Sequence, residues 1–212
     1  MMSGKHTDAD DDSPFPEDPS DTRTAIMKAT FKALCKHGYA DLTIKRISEE
    51  FPMSKSLLYH HYDGKDELLL EFLGYLLERS EEQDFPVTTE DDPEARLYSF
   101  IEHTTTMSEK AQKSSFRNAL VEMRAQAAHD ENYRTHFTRT RVHLVEHLTE
   151  ILVEGIEVGV FREDITPDSV AEFLVTVAHG SKFDQATTDD PILEMTHAEV
   201  ERYIESCLLR TP

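Results

Sequence analysis

Cysteine is almost missing: Cys35 and Cys207 are the two in 212 residues, and they fall in separate expected helices with no metal-ligand spacing. A disulfide framework and a thiolate metal centre are thereby excluded, and two reduced core thiols are expected. No apolar run approaches the roughly 20 residues that a membrane-spanning helix needs. The N-terminus is acidic and lacks the apolar stretch of a secretory signal, so a cytoplasmic protein with no membrane partner is expected. No stretch of two-residue alternation stands out, which removes a β-sheet core from consideration. There is also no Ser/His/Asp arrangement, Gly-rich phosphate loop or pair of catalytic acids, so the chain is not expected to be an enzyme.

Positive charge is scarce too. Lys and Arg number 22 against 42 Asp and Glu, a net charge of −20. The deficit is uneven, however. Residues 22–72 stand at +1 and hold six of the ten lysines, whereas the rest of the chain stands at −21. Acidic excess of this kind suits a high-salt, halophilic cytoplasm, where at about 1 M salt the Debye length shrinks to about 3 Å and self-repulsion is screened.

The segment spared the acidic bias is also the most patterned. From Leu42 to Leu69 it reads as two short helices, a tight turn and the start of a third helix. Thr43 is placed to cap the first helix, and Ile44, Ile47 and Phe51 recur at helical spacing. Pro52 stops that helix, because it lacks an N–H and disfavours helical geometry at Phe51. Ser54 caps the next, whose inward face is Leu58 and Tyr62. Lys55, Ser56, Leu57, Tyr59 and His60 face elsewhere, with Lys45, Arg46, His61 and Lys65 nearby. Basic tips interleaved with aromatic rings suit contacts to phosphate and sugar.

Helical periodicity orders the remainder into an all-α chain of about nine helices. Residues 1–21, with seven acids and three prolines, are expected to be a disordered acidic tail. A first helix runs to about His37 and ends at Gly38. Lys65 to about Glu82 forms the fourth helix. Further helices are expected near 93–107, 115–128, from 130 to somewhere in 155–159, 167–183 and 197–209. His136, His143 and His147 lie at helical spacing, but no Cys or carboxylate cluster joins them, so neither a metal nor another cofactor is expected.

The stretch resembles the DNA-binding domain of the TetR/AcrR family of transcriptional regulators. Thr43, Ile47, Ser54, Leu58, Tyr59, Tyr62 and Lys65, followed by Glu67 and Leu68, match that family's spacing. Phe51-Pro52 replaces the usual Ala-Gly turn, and Leu57 stands where Thr or Ala is usual. The back half resembles the subgroup typified by choline-responsive BetI repressors, through Arg117–Asp130, Gly155–Asp164 and Ala171–Gly180.

The resemblance implies a homeodomain-like helix-turn-helix domain over residues 22–66. It implies a helical ligand-binding and dimerisation domain over 67–212. DNA-facing residues would be Thr43, Lys45, Arg46, Ser54, Lys55, Ser56, Leu57, Tyr59, His60, His61 and Lys65. Of these, Lys45, Lys55, Ser56 and Leu57 would read base edges, and Thr43, Tyr59, His61 and Lys65 would hold phosphates. A ligand-responsive repressor binding a pseudo-palindromic double-stranded operator as a homodimer is the expected function. The alternative is an activator or an architectural adaptor that needs no small-molecule effector.

An unknown effector would sit among the middle helices, against Phe100, Thr104, Met107, Phe116, Leu120, Met123, Phe137, Arg141 and Phe173. Arg141 stands out, since a cation on an apolar face needs an anion. The last two helices are expected to dimerise through Val170, Leu174, Val177, Val200, Tyr203 and Ile204, forming a four-helix bundle on a two-fold axis.

Overall fold

The computed structural model describes residues 15–16, 19–52, 55–82, 92–105, 111–189 and 193–210. Among these the helices are α1 (Thr22–His37), α2 (Ile44–Glu50), α3 (Lys55–His61), α4 (Lys65–Glu82), α5 (Pro93–Thr105), α6 (Ala111–Gln126), α7 (Glu131–Glu157), α8 (Pro167–Thr187) and α9 (Leu193–Tyr203). A π-helical turn, Ile204–Leu208, ends the series. The described residues contain no strand, although an isolated bridge joins Phe161 to Leu209.

Local chemistry sets the helix ends. The Asp21 carboxylate accepts from the Thr24 N–H at 2.8 Å and starts α1. Gly38 ends α1 at φ 68°, a left-handed sign that side chains disfavour. Thr43 Oγ1 accepts from the Arg46 N–H at 3.2 Å, the expected cap of α2. Phe51 is extended before Pro52 (φ −90°, ψ 125°), which stops α2 and turns its ring inward. Ser54, expected to cap α3, lies outside the described residues. Asp130 accepts from the N–H groups of Asn132 and Tyr133 to begin α7, and Pro167 opens α8.

Two apolar cores result, and they do not divide simply between head and body. The first joins Leu34, Ile47, Leu58, Leu68 and Phe72 of α1–α4 to Met123 of α6 and Tyr133 of α7. The second joins Phe100 of α5, Leu148 and Ile151 of α7, Leu174 of α8, and Val200 and Ile204 near the C-terminus. Burying each such side chain contributes roughly 1.5–3 kcal/mol, which locks the head onto the body through α4, α6 and α7.

Three expectations need correction. Phe15, assigned to a disordered tail, is buried, with its ring centroid 5.7 Å from that of Tyr75 and 5.8 Å from that of Phe31. Beside it the Lys28 ammonium donates to the Pro16 carbonyl at 2.8 Å. An aromatic ring in a polar stretch gains enough by leaving water to anchor that point. Residues 1–14, 17 and 18 lie outside the described set. Cys207 is exposed rather than in the core, while Cys35 is half-buried. The last α-helix begins at Leu193, and its helical periodicity loosens to the π turn after Tyr203.

Candidate nucleic-acid interface and effector site

Helices α2 and α3 place the expected DNA-reading side chains on the outside of the head. Thr43, Lys45, Ser56, Tyr59, His60 and His61 are exposed, Tyr59 by 58%. Beneath them Leu58 and Tyr62 are buried, so α3 has the two-faced character that groove insertion requires. Leu57 departs from expectation. It is half-buried against the head's core, and its methyls are shared between that core and the surface. Arg46 is half-buried, its guanidinium donating to the Asp41 carbonyl oxygen, with the Asp41 carboxylate 3.8 Å away. Lys55 opens α3, but its side chain lies outside the described set.

Lys65 has a second task. Its ammonium lies 4.4 Å from the Tyr39 ring centroid and donates to the Tyr39 carbonyl at 3.1 Å. It therefore braces the α1–α2 link while sitting at the N-terminus of α4.

Sequence reading did not anticipate the polar connections made by α4. The Asp66 carboxylate accepts from the Tyr39 hydroxyl at 3.3 Å and from the Tyr133 hydroxyl at 3.2 Å. Tyr39 belongs to the head and Tyr133 to α7, so one carboxylate ties both to α4. Burial, with Asp66 beside it, raises the Tyr133 phenol well above its ordinary pKa and keeps it a donor. Further along α4, Arg23 bonds Glu71 at 3.2 Å and Glu78 at 2.8 Å, and the Tyr62 hydroxyl donates to Glu71 at 2.7 Å. The acids lie seven apart on α4, a spacing visible in sequence, but their partners are far away in the chain.

The expected effector pocket does not assemble as drawn. Phe100 and Met123 are fully buried in different cores, Phe116 and Leu120 are half-buried against the head's core, and Phe173 is 47% exposed. Met107 and the Thr104 side chain lie outside the described residues. A stripe at helical spacing supplies core as readily as cavity wall, and here the stripes were spent on core. Phe137 and Arg141 do line an open groove of about 510 Å³, together with Arg124, Val145 and Glu172. The anion that Arg141 needed is Glu172, and Arg141 also donates to the Thr176 hydroxyl at 3.3 Å.

Along the contact of α6 with α8, and sharing Arg124 with this groove, lies a cluster of cations that sequence reading missed. The terminal guanidinium nitrogens of Arg124 lie 3.4 and 3.5 Å from the two ring nitrogens of His179, and its carbon lies 5.2 Å from the Phe137 centroid. Burial, then Arg124, Lys182 and Arg141, lowers the His179 imidazole to about 4. Burial, then Arg124 and Arg117, lowers the Lys182 amine to about 8. Burial also lowers Arg117, whose Nε has no hydrogen-bond partner. The available signal was Arg117 and Arg124, seven apart among the apolar residues of α6.

The expected dimer residues also need correction. Val170, Leu174, Val200 and Ile204 are buried in the chain's own core, and Val177 and Tyr203 are half-buried beside it. The outward apolar groups are instead Phe173, Phe183 and Met195, exposed by 47%, 55% and 70%. His136, one of the spaced histidines, lies 3.3 Å from the Thr140 hydroxyl. Among the described residues no group of three or more His, Cys, Asp or Glu is disposed to hold a metal, and no helix is long and apolar enough to cross a membrane.

A small three-helix head with an exposed basic and aromatic face, fused through α4 to a helical body, defines a helix-turn-helix DNA-binding protein. Residues 26–72 match the bacterial regulatory proteins of the tetR family, and residues 93–209 match the BetI-type transcriptional repressor C-terminal family. The chain belongs to the TetR family: it is a DNA-binding transcriptional regulator and not an enzyme.

A TetR transcription regulator from Haloarcula marismortui is 34% identical, with 88% of this chain and 97% of that one covered at a TM-score of 0.75. A Saccharomonospora viridis protein described as a transcriptional regulator, solved in complex with choline, shares the fold at a TM-score of 0.72 and 18% identity, covering 91% and 100% of the two chains. The transcriptional repressor AcnR of Corynebacterium glutamicum is 23% identical over 76% of this chain and 80% of its own length.

Proposed function

We propose that this regulator is a repressor that binds a pseudo-palindromic operator as a homodimer and leaves it when a small molecule occupies the body. Residues 22–66 form the reading head and 67–212 the effector and dimerisation part. The observation that carries this reading is the Asp66 node, where one carboxylate on α4 holds a tyrosine of the head and a tyrosine of α7. A ligand that prefers a different seating of α7 on α4 must then also reposition the head. Repressor names among relatives, AcnR and the BetI-type family, favour repression over activation.

Dimerisation is supported by the outward stripe of α8, where Phe173, Thr176, Gly180 and Phe183 are exposed at coiled-coil spacing, with Met195 exposed on α9. Lys45, Ser56, Tyr59, His60 and His61 meet the DNA, and Lys65 adds charge at its edge.

Footprinting on the protein's own upstream DNA, followed by random-sequence selection in molar KCl, tests the reading. A protected palindrome with half-sites about one helical turn apart, or a multiple of that, is expected. Lys65→Ala should weaken operator and random DNA alike. Lys45→Ala should cost the operator about 1–3 kcal/mol more than random DNA. An asymmetric footprint that no small molecule relieves would support the architectural alternative instead.

A further inference from the structure

We infer that the contact of α6 with α8 is a binding site for a small multivalent organic anion, held by Arg117, Arg124 and Lys182. The inference rests on the effector-responsive reading above and names the chemistry of the effector.

Unneutralised positive charge is the first observation. Arg124 lies against His179, one turn before Lys182 on α8, and Arg117 lies two turns before Arg124 on the facing α6; no described acidic side chain pairs with any of the three cations. This is not for want of acids, which outnumber bases by 42 to 22 in the chain. Glu172, which lines the groove with Arg124, is committed to Arg141. Charges withdrawn from water without a counter-charge cost several kcal/mol each, so such a cluster persists where something else supplies the anion.

The second observation concerns hydrogen bonding. Arg117 Nε and, one turn beyond Lys182 on α8, Gln185 Nε2 are both buried donors with no partner. Orphaned donors beside cations call for a ligand made of acceptors: carboxylate or phosphoryl oxygens.

Access is the third. Arg124 is common to the cluster and to the wall of the 510 Å³ groove, whose size suits a metabolite-sized ligand. The Phe137 ring beneath the Arg124 guanidinium holds that fork in place. At Arg117, Arg124 and Lys182 a quaternary ammonium such as choline would meet like charge, and of the two acids lining the groove, Glu146 and Glu172, the second is already paired with Arg141. The chain therefore keeps the BetI-type fold while taking a ligand of opposite sign.

The test uses the full chain at constant KCl. Thermal unfolding is followed with succinate, propane-1,2,3-tricarboxylate, inorganic phosphate or choline added. At least one of the three anions should raise Tm by about 5–11 °C at a hundredfold excess over Kd, and choline should not. A response to carboxylates alone assigns a carboxylate effector, and one to phosphate alone a phosphorylated effector. Lys182→Gln and Arg124→Gln should each weaken binding about tenfold or more. Lys182→Met should leave the unliganded protein as stable as the parent or more so, because it removes an uncompensated charge.

Three results would overturn the inference: no response to any of the anions, a response undiminished in both Gln variants, or a loss of stability in Lys182→Met. Operator binding separates this from the underlying reading. An anion that binds at these residues without releasing DNA would sink the effector reading and leave the site. Release by choline would do the reverse.

Discussion

Gly155→Ala provides a strict test of how the body is packed. Gly155 is buried in α7, and both the Val160 and Phe161 N–H groups donate to its carbonyl, at 2.8 and 3.0 Å. Those bonds fold the chain back so that the fully buried Phe161 ring lies on the Gly155 Cα. A Cβ at this position would fall inside contact distance of ring atoms Cδ2 and Cε2 and 3.1 Å from Cγ. The ring cannot slide away without breaking the backbone bonds that hold it.

In an open helix the same change would be worth about 1 kcal/mol of stabilisation. Displacing a core Phe costs about 3–5 kcal/mol, so the net loss should be about 2–4 kcal/mol. For a chain of this size that lowers Tm by about 4–16 °C. Thermal denaturation by far-UV circular dichroism, at fixed salt and protein concentration, reads this directly.

Gly74→Ala is the control. It is a helical position where an added Cβ meets nothing within 4 Å, and it should gain up to about 1 kcal/mol. Phe161→Ala alone should cost about 3–5 kcal/mol, and adding Gly155→Ala should cost little more, because the clash has gone. A Gly155→Ala protein that melts at or above the parent temperature would refute the reasoning.

Phe15→Ala empties a slot between Tyr75, Phe72 and Phe31, and a loss of about 3–5 kcal/mol in urea unfolding is expected. Asp66→Asn weakens two phenol bonds at once, costing about 1–3 kcal/mol. It should also blunt effector release more than operator affinity, measured by fluorescence anisotropy. Lys182, whose amine is lowered from its ordinary 10.5 to about 8 by burial and then by Arg124 and Arg117, binds fewer protons folded than unfolded between those values. Stability from this group therefore rises with pH above about 8, and the rise should vanish in Lys182→Met. His179, lowered to about 4, works the same way at acid pH: its contribution is lost as pH falls from about 6.5 towards 4.

Much of this architecture was legible before any coordinates, because it is encoded over short distances. Gly38, Thr43 and Pro52 act on their own helix ends, and helical stripes such as Leu68, Leu69, Phe72 and Leu73 announce a buried face. The head was legible for the same reason: its spacing is a local property of about 26 residues, Thr43 to Leu68.

What periodicity cannot say is which surface an apolar stripe will meet. Val170, Leu174, Val200 and Ile204 read equally well as core or as interface, and packing against α5 and α7 made them core. Phe15 looked like part of a polar tail until α1 and α4 provided rings for it to stack on. The sign of a cluster is likewise a tertiary property. Arg117 and Arg124 are two cations among many along the chain, and the 42 acids gave no hint that they would lack partners. It is the meeting of α6 with α8 that brings them to Lys182 and His179, 55 or more residues on, while Glu172 goes to Arg141. Secondary structure is set by neighbours a few residues apart, but burial and charge balance are set by whatever the fold brings alongside.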